Sequence, residues 1–366
     1  MNKRAHRNNR QKIYIIGPSF KTQGGISSVL KLYRSNYAAR FNMVFIPSYS
    51  GFGRHKDLLL FSAALARVFL ACLVEKAPVF HIHVASRGSF LRKSMIAGIC
   101  RLFDKKIIFH IHGAMFDRFI EDSPPRKKEK ILGCLKAADK VVVLSHKWKD
   151  FFAKYLPEDK ISVVYNPTPT YRPEYIPRSN PRPVIIFMGR LGKRKGTYDL
   201  IEAAKLIKAK EFLLRLYGDG DVEEVKALIE TEGLKERISV NNWVEHSRVE
   251  AIYEGADLLV LPSYAEGLPM SVLEAIGKGL PVVSTEVGGI PEAVEDGHSG
   301  FILEPGDVAG LAERMGRLVE DAGLREAMGK AGLKLAGDKF SIGSVGKQLE
   351  RLYSELETGG AGHVQA

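Results

Sequence analysis

Short β-branched runs alternating with helix-length stretches constrain this chain most, because the alternation occurs twice with one break between. In the first half the runs occupy residues 12–17, 43–47, 79–84, 106–112, 140–145 and 161–165. After the break they occupy 184–188, 212–217, 237–241, 257–261, 281–284 and 301–303. Strands separated by helices cannot pair as tight hairpins, and continuous apolar runs suit parallel strands buried on both faces. The pattern predicts an α/β chain with two doubly wound, Rossmann-like parallel sheets. The break, residues 166–183, is so rich in proline that neither a helix nor a central strand can form there. Residues 171–183 are expected to link a domain over 1–170 to one over 184–339. The carboxyl ends of the two sets of strands would face each other across a cleft. The tail, 359–366, is expected to fray.

A chain of 366 residues with 45% apolar composition can build two cores of ordinary size. Its charge is uneven. Residues 1–180 hold 32 Lys+Arg against 12 Asp+Glu, net +20, while 181–366 hold 22 against 30, net −8. The first half is therefore expected to meet something polyanionic. The aromatic patterns of an RNA-binding module are absent, which favours an anionic membrane surface over nucleic acid. Cys72, Cys100 and Cys134 lack metal-ligand spacing and read as reduced thiols, and no signal peptide is evident at the start. The expected location is cytoplasmic, peripheral at the inner face of the plasma membrane. The most apolar stretch, 58–74, is short for a span and carries Arg67, so it reads as a core-facing or interfacial helix.

Glu266 and Glu274 bracket E-G-L-P-M-S-V-L-E, with one carboxylate before a helix and the other inside it. Pro269 suits the first helical turn, and the amides of Leu268, Met270 and Ser271 could receive an anion there. A second candidate is G-R-L-G-K-R-K-G at 189–196, before the helix expected from Thr197. Arg190 offers a fixed fork of donors and Lys195 a compact ammonium, suited to a diphosphate. The spacing is not that of a P-loop. Near the start, G-P-S-F-K-T-Q-G-G ends in Gly24 and Gly25, which could let backbone approach a phosphate or sugar.

The pairs His81/His83 and His110/His112 stand at strand ends, each pair on one face. Four imidazoles could ligate zinc, but no carboxylate or cysteine stands at ligand spacing, so the preferred reading has no metal and gives His112 the functional role. Asp219-Gly-Asp221 reads as a turn, and Trp243 as a core residue rather than a contact to a base.

Together these motifs resemble the retaining, nucleotide-sugar-dependent glycosyltransferases of the GT-B fold, family 4. The resemblance rests on G-R-L-G-K-R-K-G at 189–196, L-P-S-Y-A-E-G-L-P-M-S-V-L-E-A at 261–275 and P-V-V-S-T-E-V-G-G-I-P-E at 281–292. It implies that Arg190 and Lys195 grip the donor diphosphate and that Glu274 holds the ribose hydroxyls. Glu266 would lie under the donor sugar, with Gly267, Leu268, Pro269 and Met270 reaching sugar hydroxyls and Ser271 near the phosphate. His112 would contact the sugar near the reacting carbon, and Gly24-Gly25 would lie near phosphate and acceptor. A helix at about 340–358 would cross back to the first domain.

The segment V-A-S-R-G-S-F-L-R-K at 84–93 looks like a loop of bacterial exopolysaccharide and lipopolysaccharide transferases, which makes Ser86, Arg87 and Ser89 candidate acceptor contacts. The expected donor is a UDP-sugar, alternatively a GDP-sugar, with no metal or other cofactor. The expected acceptor is a lipid-linked or oligosaccharide hydroxyl. An epimerase or phosphorylase on the same fold, and a non-catalytic membrane-surface protein, are the competing readings.

Overall fold

The computed structural model describes residues 11–169, 171–207 and 211–358. It divides into two compact units, one reaching Tyr165 and resuming at Val345, the other Asn166–Ser344. The first unit holds a parallel sheet of β1 (Ile13–Gly17), β2 (Met43–Pro47), β3 (Val79–Val84), β4 (Lys106–Ile111), β5 (Lys140–Val143) and β6 (Ile161–Val163), in the order β2-β1-β3-β4-β5-β6. The second holds β7 (Val184–Met188), β8 (Leu213–Tyr217), β9 (Ile238–Asn241), β10 (Leu258–Leu261), β11 (Val282–Thr285) and β12 (Gly300–Leu303), in the order β12-β11-β10-β7-β8-β9. All neighbouring strands are parallel. Every expected run contributes a strand. The central ones are buried along their whole length, which is why they read as unbroken apolar runs.

In each sheet the winding reverses once, between β1 and β3 in the first and between β7 and β10 in the second. Loops that leave the carboxyl ends of strands at such a reversal diverge and leave room for a ligand. In the first unit β1 leads to α1 (Gly25–Asn36) and β3 to α3 (Gly88–Leu102).

Between β2 and β3 lies α2 (Arg54–Val74). It was expected to face the core or an interface, and its core side is narrow. Phe61, Ala64, Val68, Ala71 and Cys72 are buried, whereas Leu58, Leu59, Phe69, Leu70, Leu73 and Val74 are exposed. Among the described residues α2 is the one helix long and apolar enough to cross a membrane, by length and composition.

The proline-rich segment, expected to link the domains over 171–183, is fastened to the second unit. Asn166 Nδ2 donates to the Leu268 carbonyl at 2.9 Å and Thr168 Oγ1 to that of Leu273 at 2.9 Å. The Arg172 amide donates to Gly277 O at 3.1 Å and Arg178 Nη2 to Lys278 O at 2.7 Å. Prolines bar this segment from the sheet, but its side chains and free amides meet carbonyls in and around the helix Met270–Gly277, with those of Gly277 and Lys278 at its end. The helix Ile342–Thr358, expected at about 340–358, belongs to the first unit from Val345 onward. Gln348 Oε1 accepts from the Tyr165 amide at 3.0 Å, and the Tyr353 hydroxyl meets His81 Nδ1 at 2.8 Å.

Candidate active site

In the second unit three loops converge at the reversal point, after β7, β10 and β11. Gly196, in the β7 loop, has φ of +68°, and a Cβ there would lie 2.0 Å from the Pro262 carbonyl. Only glycine allows that turn and that approach. Arg194 stitches the same loops, its carbonyl accepting from the Tyr264 amide at 2.8 Å and its Nη1 donating to Ala265 O at 3.0 Å. From β11, Gly288 at φ +57° passes so close to Glu266 that a Cβ would meet its carbonyl at 2.1 Å. The Gly289 amide donates to Gly267 O at 2.6 Å.

This packing brings Lys195 and Glu266 together as a buried ion pair through Nζ and Oε1. Their side chains are 13% and 7% exposed. Ser263 Oγ also donates to Glu266 Oε1, at 2.8 Å. Lys195, expected to face a diphosphate, thus neutralises the glutamate expected under the sugar. A pair this enclosed is held by geometry, because desolvation offsets much of its attraction. Arg190 is free by comparison, 66% exposed and 3.8 Å from Asp219. The Asp219-Gly-Asp221 segment is a turn, and its Asp219 carbonyl accepts from the Leu191 amide at 2.6 Å.

Glu266, Gly267, Leu268 and Pro269 are buried, and Met270 and Ser271 half-buried, at the start of the helix Met270–Gly277. Pro269 lies just before the helix with ψ of 130°, not inside the first turn. No side chain caps this end. The first-turn amides have no partner within the helix, so they can meet an anion. Glu274 is buried within the helix and accepts from the Tyr253 hydroxyl at 2.8 Å. Burial pushes its carboxyl up to about 7, against the opposing hydrogen bond from Tyr253. Trp243, expected in the core, is 44% exposed after β9.

The first unit gathers its candidates at its own reversal point. Gly24 has φ of +124° and Gly25 opens α1, both with open space around them and no side-chain cap on the helix. After β3, Arg87 holds φ of +56°, rare for a residue other than glycine. Ser89 Oγ accepts from the Ala85 amide at 3.2 Å, so this hydroxyl braces the loop. Ser86 lies against Gly113, where a Cβ would meet its amide nitrogen at 3.1 Å. That contact joins the β3 loop to His112-Gly113 after β4.

Behind the loops the four histidines stack. Ring nitrogens of His81, His83 and His110 lie within 4.8 Å of one another. A metal must lie in the plane of every ring that ligates it, yet these rings are tilted by only 14–31° and stacked at 4.7–5.2 Å. Such an arrangement favours hydrogen bonds among the rings over convergence on an ion. Burial holds all four below their ordinary pKa, His81 and His112 at about 3.

Several contributors are absent from the sequence reading. Ser263 stands three residues before Glu266 and could have been read from that spacing. Tyr253 and Asn166 reach the site from 21 and 102 residues away and leave no local signal. Lys93 ends the 84–93 segment and carries no local signal of a buried role. It is 2% exposed in α3, and burial pulls its ammonium down to about 7.

Two family models match the chain: Glycosyltransferase Family 4 over residues 27–172 and Glycosyl transferases group 1 over 173–335. Alpha-D-kanosaminyltransferase of Streptomyces kanamyceticus is 30% identical over 178 residues, 48% of this chain and 46% of that protein. The capsular polysaccharide biosynthesis glycosyltransferase CapM of Staphylococcus aureus is 32% identical over 173 residues, 47% of this chain and 46% of that protein. The matched stretch thus spans about half the length of these relatives.

Among solved structures, sucrose-phosphate synthase from Thermosynechococcus elongatus superposes with a TM-score of 0.79 at 18% identity, covering 96% of this chain and all of that one. Anabaena Alr3699/HepE in complex with UDP-glucose gives 0.73 at 19% identity, covering 94% of this chain and all of that one. At these identities the likeness is one of fold.

Proposed function

The chain belongs to the group 1, family 4 glycosyltransferases of the GT-B fold, and from that premise we propose that it moves a hexose-type sugar from a nucleotide diphosphate to an acceptor hydroxyl with retention. The observation that carries this reading is the convergence of Lys195, Glu266 and an uncapped helix start at the reversal point of the second sheet. The donor diphosphate is received by Arg190, Lys195 and the amides near Ser271, the ribose by Glu274. The acceptor oxygen attacks the anomeric carbon on the face the diphosphate leaves. The carbon–oxygen bond to phosphate breaks, and a departing phosphate oxygen takes the acceptor's proton. Fixed cations and amides stabilise that developing charge, so a divalent ion is not required. The HepE complex with UDP-glucose supports a UDP-sugar as the donor to try before GDP-sugars.

A thermal-shift series with UDP, GDP, ADP and their common sugars, with and without EDTA, tests the donor. An EDTA-resistant rise of several degrees with one nucleotide is expected. No rise with any of them would favour the non-catalytic reading.

The acceptor belongs to surface-polysaccharide synthesis, a reading the CapM relative supports, and the proposal takes it to be lipid-linked. It is met at the inner face of the membrane. Beside the exposed leucines of α2, the neighbouring α3 exposes Leu91, Met95 and Leu102, and Phe69 of α2 packs on Phe103 just after α3. An apolar face on a strongly basic half of the chain suits anionic lipid. Vesicles containing phosphatidylserine should bind the protein at low salt, and Leu59→Asp with Leu70→Asp should weaken partition by roughly tenfold or more. Equal partition of the variant and the parent would remove α2 from the proposal.

A further inference from the structure

The four imidazoles form two hydrogen-bonded pairs, His81–His110 and His83–His112, and the proton shared in the second pair determines what its outer ring can offer. His83 on β3 and His110 on β4 are register partners, which sets all four rings on one side of the sheet. His81 Nε2 meets His110 Nδ1 at 3.1 Å, and His81 Nδ1 meets the Tyr353 hydroxyl. His83 Nδ1 meets His112 Nε2 at 2.8 Å. Each such bond needs one N–H, and a neutral imidazole has one to give. Among the described residues, His83 Nε2 is buried without a hydrogen-bond partner. The proton of His83 therefore has two possible positions, one facing an acceptor and the other facing none. A buried N–H left unpaired costs the full desolvation of the donor, so the proton belongs on Nδ1. His112 accepts it at Nε2 and must carry its own proton on Nδ1.

We infer that His83 is a positioning residue whose Nδ1–H holds His112 as the Nδ1–H tautomer, so that His112 presents a hydrogen-bond donor at the carboxyl end of the first sheet. The opposite tautomer would present a lone pair there and would select a different hydroxyl geometry. The ligand, a hydroxyl of the donor sugar, rests on the transferase reading above, whereas the tautomer does not. Tyr33 packs edge-on against His83 at 5.4 Å between centroids, which keeps the ring from turning away from its partner. His83 thus acts through His112 and does not itself meet substrate.

The test is the tautomer itself. In protein labelled with 15N-histidine, long-range proton–nitrogen spectra distinguish protonated from bare ring nitrogens, and His112→Asn identifies the His112 signals. The parent should show His112 protonated at Nδ1 and bare at Nε2. His83→Phe, which cannot donate, should lose that preference. His83→Asn, whose amide stands near the former Nδ1, should keep it. With UDP-glucose as probe, His83→Phe should lower turnover about 10- to 100-fold with little change in KM, and His83→Asn should recover most of it. A parent His112 protonated at Nε2 overturns the inference, and so does an unchanged tautomer in His83→Phe. If His83→Phe fails to fold, the parent and His83→Asn spectra still decide. Absence of turnover in the parent, with the expected tautomer present, would count against the transferase reading alone.

Discussion

Lys195→Ala should lower turnover by about 10²–10³-fold and also lower the melting temperature by roughly 10 °C. The two losses have different origins. In the free protein Lys195 neutralises Glu266, and removing it strands a carboxylate that is 7% exposed and keeps the Ser263 hydroxyl as a donor. Breaking a buried pair from one side costs about 3–5 kcal/mol, far more than the pair contributes over an apolar replacement. During transfer the same ammonium stabilises charge on the departing phosphate, which affects kcat more than binding. Lys195→Met combined with Glu266→Gln should restore the melting temperature without restoring turnover. A Lys195→Ala enzyme that is stable and impaired only in KM would refute the dual role.

Binding of UDP near pH 7 should release protons, because the carboxyl of Glu274 sits at about 7 in the folded chain. Ribose hydroxyls donating to this group favour its ionised form, so nucleotide affinity should rise with pH to about 8. Calorimetry in two buffers of different ionisation heat measures the release directly. Glu274→Gln should abolish it and weaken UDP. Stability runs the other way. A carboxyl raised from 4.5 to about 7 stabilises the fold fully below pH 4.5 and loses that contribution as pH climbs through 7. The loss is about 3 kcal/mol, and the glutamine variant should flatten that part of the pH curve. Proton release that is zero in the parent would mean that Glu274 is not the ribose contact.

Particular residues show how far the sequence could be read. Ile15, Ile16, Val260 and Leu261 announce their strands because both faces are buried, so identity alone reveals the sheet. Glu266, Lys195 and Glu274 were legible as candidates because glycine and proline mark the loops and helix start around them. Their partners were not. The bond from Tyr253 to Glu274 joins two helices whose packing no local pattern encodes, and the Lys195–Glu266 pair depends on loops 71 residues apart. The fastening of the proline-rich segment was hidden for a related reason. Composition showed that it could not join a sheet, but not that Thr168 and Arg178 would find the carbonyls of Leu273 and Lys278. Trp243 misled because aromatic bulk favours burial only on average.

The helix Ile342–Thr358 returns to a unit whose other elements all end by Tyr165. On the ribosome, the first sheet must therefore wait for Gln348 and Tyr353 while the whole intervening unit is translated, roughly ten to forty seconds at usual rates. Until then the Tyr165 amide and His81 lack these partners, and α2 already exposes its leucines to any membrane or chaperone nearby. The second unit is contiguous and has no such wait. Completion of the two halves is thus expected in the reverse of the order in which they are made.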